Sequence, residues 1–357
     1  MSPYDDGYFE ALNKTAISTS AIDRAQQLLD LDHAFAFVRF PSEADPVLYP
    51  YLIKGELPAH YFVVHAWDAD TPAAFFSAEA IKGAESTTIS PTHAHAVQTS
   101  YNDYRAQFSE LQQLFREGDL KKAILSRTIV HELGSALNVL NAFSKLAFQY
   151  PDAMIFLINH PTDGTWIGAS PELLLKCEGQ HYQTLSLAGT KAATDASDWS
   201  EKEFEEHRFV SDHIRQVAAS CSAENIEEKG PYTIAAGPVK HLRTDFSFDM
   251  LARNLGMNAF LEALHPTPAI AGWPIAEAID AINRVEKHAR KLYCGYIGQV
   301  KANSGKFYVS LRCAEIRDRK LICYSGGGIT AQSHLALEWK ETQLKAETLI
   351  SIFKDEQ

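Results

Sequence analysis

No apolar run in the chain approaches the ~20 residues that a membrane span requires; stretches such as Ala153–Ile158 and Leu173–Leu175 are among the longest. That excludes a membrane-embedded role for the sequence. Base is also short: 33 Lys and Arg stand against 45 Asp and Glu, a formal charge of -12, the reverse of the basic face that nucleic acid attracts. A small anionic ligand is still allowed, held by a local group of Arg, Lys, backbone N–H groups or a metal working against the overall field. Cysteine is sparse and odd in number, five residues with no C-x-x-C pair, which points to reduced, structural thiols in a reducing compartment. The opening residues MSPYDDGYFEALNK carry acid where a signal peptide carries base, so the expected location is the cytoplasm. No internal repeat is present.

With 357 residues, 46% hydrophobic and 22% charged, the chain can bury a large core. Residues 30–82 hold short strand-like pieces, FAFVRF, PVLYPYLIKG and HYFVVHAWDA, and predict antiparallel sheet. The segment Gly83–Ser100, rich in Ser, Thr and His, reads as a linker or surface loop. It divides a β-rich part, residues 1–97, from residues 98–357 within one globular unit. His93 and His95 form H-x-H in this loop; with no third ligand nearby they read as surface histidines. Beyond it, the runs KKAILSRTIV, AMIFLINH, LYCGYIGQV, KFYVSLRCAEI and KLICYSGGGI alternate with helical stretches.

Three prolines and a glycine fall within the eleven residues Leu264–Pro274. Each Pro fixes its own φ and moves the preceding residue out of the α region, so His265, Thr267 and Trp273 are expected to be extended. Such a loop loses little entropy on closing over a ligand. The plain alternative is a connector.

Four further places carry candidate chemistry. In the strand Lys122–Arg127, alternation puts Lys122, Ile124 and Ser126 on one face; an inward lysine is desolvated, its pKa falls, and it becomes a base, unless Lys122 merely starts the strand at the surface. In Gly168-Ala-Ser-Pro-Glu172, a lone carboxylate precedes an apolar run, which suits a general acid of raised pKa or a helix N-cap. In a helix from about Trp199 to Ser220, Glu206 continues the stripe Val210, Ile214, Val217, and Glu203 lies one turn earlier; a buried carboxylate needs a cation. The acidic first turn otherwise complements the helix dipole. In the C-terminal helix, Leu337, Glu341, Leu344, Lys345, Thr348 and Ile352 are expected on one face, preceded by Gly326-Gly327-Gly328, whose bare N–H groups suit an anion. Glu341 and Lys345 could equally form a surface pair. Two inner glutamates on separate helices fit Mg²⁺ keeping waters, not zinc.

Taken in order, the K-x-x-L-S-R strand, G-A-S-P-E, Leu187-Ala-Gly-Thr190, Glu206-His207, Val239-Lys-His-Leu242, the LHPTPA loop, Tyr293-Cys-Gly295, Leu311-Arg-Cys-Ala314, G-G-G-I and the E-W-x-E-T-x-x-K run resemble the chorismate-utilising enzymes over roughly residues 100–350. The LHPTPA loop looks like that of the isochorismate synthases. Ala188 stands where aminodeoxychorismate synthases place a lysine nucleophile, which leaves water as the nucleophile. The fold implied is α/β, more narrowly α+β: two stacked antiparallel sheets flanked by helices, with the site between the sheets and the C-terminal helix.

The resemblance implies chorismate as substrate and isochorismate as product. Lys122 would activate a water for attack at C2, and Glu172 would protonate the departing 4-hydroxyl. Glu206 and Glu341 would hold Mg²⁺, supported by Glu203 and Glu338. Arg312 and Tyr293 would bind the pyruvyl carboxylate, Lys345 with the backbone of Gly327 and Gly328 the anions; Thr190 and His241 would line the ring pocket, and Ala269 and Ile270 the space behind the reacting carbons. The turn after Thr190 departs from the family's arginine-rich pattern, and residues before about 98 match weakly. No amidotransferase segment and no obligatory protein partner are expected. A salicylate synthase, an anthranilate synthase component I and a non-catalytic Mg²⁺- or anion-binding protein are the alternatives; menaquinone, siderophore and salicylate routes all stay open for the product.

Overall fold

The structure is a computed structural model that describes residues 19–68, 71–89, 98–134, 138–236, 239–251 and 256–354; His93 and His95 lie outside them. Its strands, in chain order, are β1 Phe35–Arg39, β2 Val47–Tyr49, β3 Tyr51–Ile53, β4 His60–His65, β5 Ala74–Ser77, β6 Ala84–Glu85, β7 Lys122–Glu132, β8 Met154–His160, β9 Gly164–Ser170, β10 Leu173–Glu178, β11 His181–Ala192, β12 Glu224–Ala236, β13 Val239–Asp249, β14 Gly272–Trp273, β15 Tyr296–Lys301, β16 Ser304–Val309, β17 Cys313–Arg317 and β18 Lys320–Thr330. The helices are α1 Thr19–Asp30, α2 Tyr101–Glu117, α3 Val139–Gln149, α4 Glu201–Ser220, α5 Met257–Leu264, α6 Ile275–Val285 and α7 Leu335–Lys354.

Two wholly antiparallel sheets result. One has eight strands in the order β14-β7-β18-β17-β9-β8-β1-β2, the other ten in the order β12-β13-β11-β10-β16-β15-β4-β5-β3-β6. This is the stacked α+β arrangement expected. The early strands join both sheets: β1 pairs with β8 and β4 with β15.

Why residues 35–38 are apolar without alternation is visible in β1. Successive side chains point to opposite faces of a strand. Ala36 and Val38 enter the layer between the sheets, with Phe156 and Trp166 on one side and Phe62, Leu175 and Phe307 on the other. Phe35 and Phe37 enter a second core beneath α3 and α7, with Phe143, Leu146, Leu349 and Phe353. A strand covered on both faces has no polar side to show.

Three expectations need correction. KFYVSLRCAEI is not one strand but two, β16 and β17, which belong to different sheets; the chain breaks at Arg312, whose φ of 46° no strand accommodates. The three glycines, read both as the end of the strand-like run KLICYSGGGI and as bare backbone ahead of the last helix, lie inside β18 and are not all bare, being paired with β7 as Gly326↔Ser126, Gly327↔Leu125 and Gly328↔Ile124. On α7, Leu337 and Leu344 are 64% and 48% exposed, because the inward face of its first turns carries Glu338, Glu341 and Thr342 and lines a polar space rather than the core.

Candidate functional site

A cavity of about 150 Å³ opens between the sheets and beside α4 and α7. Two crossovers build its seam. After β9 the chain passes through Pro171 and Glu172 from the eight-stranded sheet into β10 of the ten-stranded sheet; after β16 it passes back through Ser310–Arg312 into β17. The crossovers are bonded to each other: Val309 N–H donates to Glu172 C=O at 3.0 Å and Ala169 N–H to Arg312 C=O at 3.1 Å. Ser170 Oγ donates to Val309 C=O at 2.5 Å. Glu172 and Arg312 therefore reach the cavity side by side.

Glu172 follows a strand and precedes another, so it caps no helix. Burial pushes its carboxyl up to about 7, against the pull of Lys122, Lys345 and Arg312. Lys122 opens β7 without lying at the surface: it is 2% exposed, flanked by Trp273 on β14 and Thr330 on β18. Its Nζ is 3.4 Å from Glu206 Oε2. Ile124 shares the cavity wall with it, as alternation requires.

The glycines of β18 make room for these groups. A side chain at Gly328 would meet Lys122 Cε at 2.9 Å and Glu206 Oε2 at 3.0 Å; one at Gly327 would meet Glu338 Oε2 at 3.2 Å. Their backbone is partly committed. Ser126 N–H bonds Glu286 instead of β18, and the Gly326 carbonyl accepts from Lys345 Nζ at 2.9 Å. Gly326 and, two residues on, Gly328 thus turn their backbone groups away from β7, whereas those of Gly327 belong to the ladder with Leu125.

On α4, Glu206, Val210, Ile214 and Val217 are all buried, as the helical period predicts. Glu203 closes a capping box, accepting from Ser200 N–H and Oγ at 2.5 Å, and lies 3.7 Å from Lys191 Nζ. Facing α4, Glu338 is 5% exposed; burial raises its carboxyl, as does Glu341, against Lys202. Burial also works to raise the Glu341 carboxyl, but Lys345 at 2.7 Å, with Lys202 and His241, more than offsets it and leaves it below its ordinary value. This pair lines the cavity rather than the protein surface.

His241 lines the cavity with its pKa lowered to about 4 by burial and by Arg312. Its Nδ1–H donates to Gly189 C=O at 3.0 Å, so Nε2 is the acceptor nitrogen. Thr190 pairs with His241 across the β11–β13 ladder. The loop after α5 delivers Ala269 and Ile270 to the cavity, and Tyr293, Arg312 and Lys345 complete the wall. His265 is extended, with φ -97° and ψ 136°, and Trp273 lies in β14, both as the prolines predict.

Four residues in or behind the wall of the site escaped the sequence reading: Tyr324 and Ser325 of β18, which line the cavity, and Lys202 and Arg290. Lys202 lies between the helices, its Nζ 3.5 Å from Glu206 Oε1 and 3.2 Å from Glu338 Oε1; the only sequence signal is its i,i+4 spacing to Glu206. Arg290, 2% exposed, ties the proline loop to β7: Nη1 donates to Ile270 C=O at 2.9 Å, Nη2 to Ile124 C=O at 2.8 Å, and Nε to Glu286 at 2.9 Å.

The chain matches a family model described as chorismate binding enzyme over residues 60–354. It is 27% identical to isochorismate synthase EntC of Escherichia coli, over 99% of this chain and 93% of that one. It is 30% identical to the salicylate biosynthesis isochorismate synthase of Pseudomonas aeruginosa, over 69% of this chain and 53% of that one. A putative 2,3-dihydroxybenzoate-specific isochorismate synthase from Bacillus anthracis has the same fold, with a TM-score of 0.76 and 23% identity over 93% of this chain and 99% of that one.

Proposed function

Since the chain belongs to the chorismate-binding enzymes, we propose that it is an isochorismate synthase that adds water at C2 of chorismate and expels the 4-hydroxyl. Lys122 takes a proton from the water as its oxygen bonds to C2. The ring double bonds shift, the C4–O bond breaks, and Glu172 gives its proton to the leaving hydroxyl, which departs as water. Atoms balance as an isomerisation, and the two side chains end with their protonation states exchanged. The observation that carries this reading is one cavity holding a buried lysine and a carboxyl whose pKa is raised to about 7, beside an alanine, Ala188, that supplies no amine. Arg312 and Tyr293 bind the pyruvyl carboxylate, while Lys345 and the backbone on the open side of β18 meet anionic oxygen. Thr190 and His241 border the ring, and Ala269 and Ile270 close the space behind it.

The donor set fits Mg²⁺. Glu206 and Glu341, with Glu338 and Glu203 around them, are hard oxygen ligands without a soft donor among them, and Gly327 and Gly328 leave the space open. Among the described residues no three His, Cys, Asp or Glu side chains group closely enough to hold a metal by themselves; the ion would keep waters and take part of its shell from substrate. When bound, the ion neutralises and orients a substrate carboxylate. No described helix is long and apolar enough to cross a membrane, and we place the reaction in the cytoplasm, with no protein partner required.

The test is incubation with chorismate, with and without Mg²⁺, and chromatography of the products. Isochorismate alone, formed only with metal, is expected. Salicylate plus pyruvate would move the protein to the lyases, and unchanged chorismate would overturn the reading. A second expectation concerns Gly328→Ala. Its methyl group must push Lys122 Cε or the Glu206 carboxylate aside, and since a misplacement of about 1 Å can cost about a hundredfold in turnover, a loss of up to about that size is expected. Steady-state rates beside a thermal melt will check that activity falls much further than stability.

A further inference from the structure

The carboxylates assigned to the metal are not bare. Lys122 Nζ lies 3.4 Å from Glu206 Oε2 and Lys345 Nζ 2.7 Å from Glu341 Oε1, each ammonium pairing with a single carboxylate. Lys202 differs: its ammonium spans two helices, reaching Glu206 Oε1 on α4 at 3.5 Å and Glu338 Oε1 on α7 at 3.2 Å. Ser333 Oγ donates to the same Glu338 oxygen at 2.7 Å. An ammonium and a divalent cation compete for the same oxygens, since like charges a few ångströms apart repel strongly in a partly buried site. The Lys202 side chain is 28% exposed, so water is within reach of its swing.

We propose that Lys202 is a built-in counter-ion that occupies the metal-free carboxylate site and must be displaced by the incoming divalent cation, so that it sets the affinity for metal. This rests on the assignment of Mg²⁺ to these glutamates. Lys202 keeps α4 and α7 together while the metal is absent, and its competition limits occupation of the site by metal alone.

The experiment uses the full chain, stripped with chelator, as wild type and as Lys202→Met and Lys202→Gln. Mn²⁺ binding is followed by electron paramagnetic resonance without chorismate, and thermal melts are recorded in chelator and in excess Mg²⁺. Both variants are expected to bind Mn²⁺ about tenfold more tightly, the scale of one partly buried ion pair lost from the competing state. They should also melt below wild type in chelator and recover that deficit in Mg²⁺. A residue that only braces the helices would lower both melts alike and leave Mn²⁺ affinity unchanged or weaker; either result overturns the proposal. If wild type and variants all fail to bind Mn²⁺, the metal assignment falls first and this inference with it.

Discussion

Lys122→Ala is expected to lower kcat by about 10²- to 10⁴-fold, the range that a positioned general base contributes, while chorismate still binds. The lysine is the one buried amine of β7 that faces the cavity, and its neighbours on that wall, Ile124 and the β18 glycines, hold no group able to replace it. The variant removes a side chain from a wall already widened by Gly328, so the strand should persist, since its backbone pairs with both β14 and β18. Rapid-quench turnover together with equilibrium binding of chorismate will separate the two effects. Normal turnover would remove Lys122 from the role of base; loss of binding alone would make it a carboxylate anchor.

Glu172→Gln is expected to cost a similar 10²- to 10⁴-fold and to alter the pH profile. An ordinary glutamate at pH 7 is protonated in roughly 0.2% of molecules, too few for an efficient acid. Burial raises Glu172 to about 7, so it holds its proton below that pH and loses it above. Wild-type kcat/KM should therefore fall about tenfold for each pH unit above this value. Glutamine has no proton to lose, so that limb should flatten in the variant. A limb that persists unchanged would assign it to another group.

The sequence carried the parts of the site that obey a period. Glu206 lay on the stripe of Val210, Ile214 and Val217 because 3.6 residues per turn leave few choices, and the prolines marked the loop bearing Ala269 and Ile270. What it concealed depended on partners distant along the chain. The three glycines read as bare backbone for an anion until β7 pairs with them and commits Gly327 to the ladder. KFYVSLRCAEI alternates like one strand, and only the positive φ at Arg312 reveals the crossing between sheets. Leu337 and Leu344 carry the right spacing for an inward face, but the space opposite belongs to charged groups and their backs turn to water. Arg290 showed no pattern at all, since its work is bonding two main-chain carbonyls, of Ile124 and Ile270, that sequence does not distinguish.

The seam where Glu172 and Arg312 cross gives the site its mechanical character. Acid and guanidinium hang from two strands that pass between the sheets and are stitched to each other, so neither can drift without its partner. The thickness of the sandwich, which Trp166, Phe156 and Phe307 set from inside, therefore acts on both at once. A repacking there, well away from any reacting atom, would carry proton donor and anion holder along together, as one rail carries two hooks.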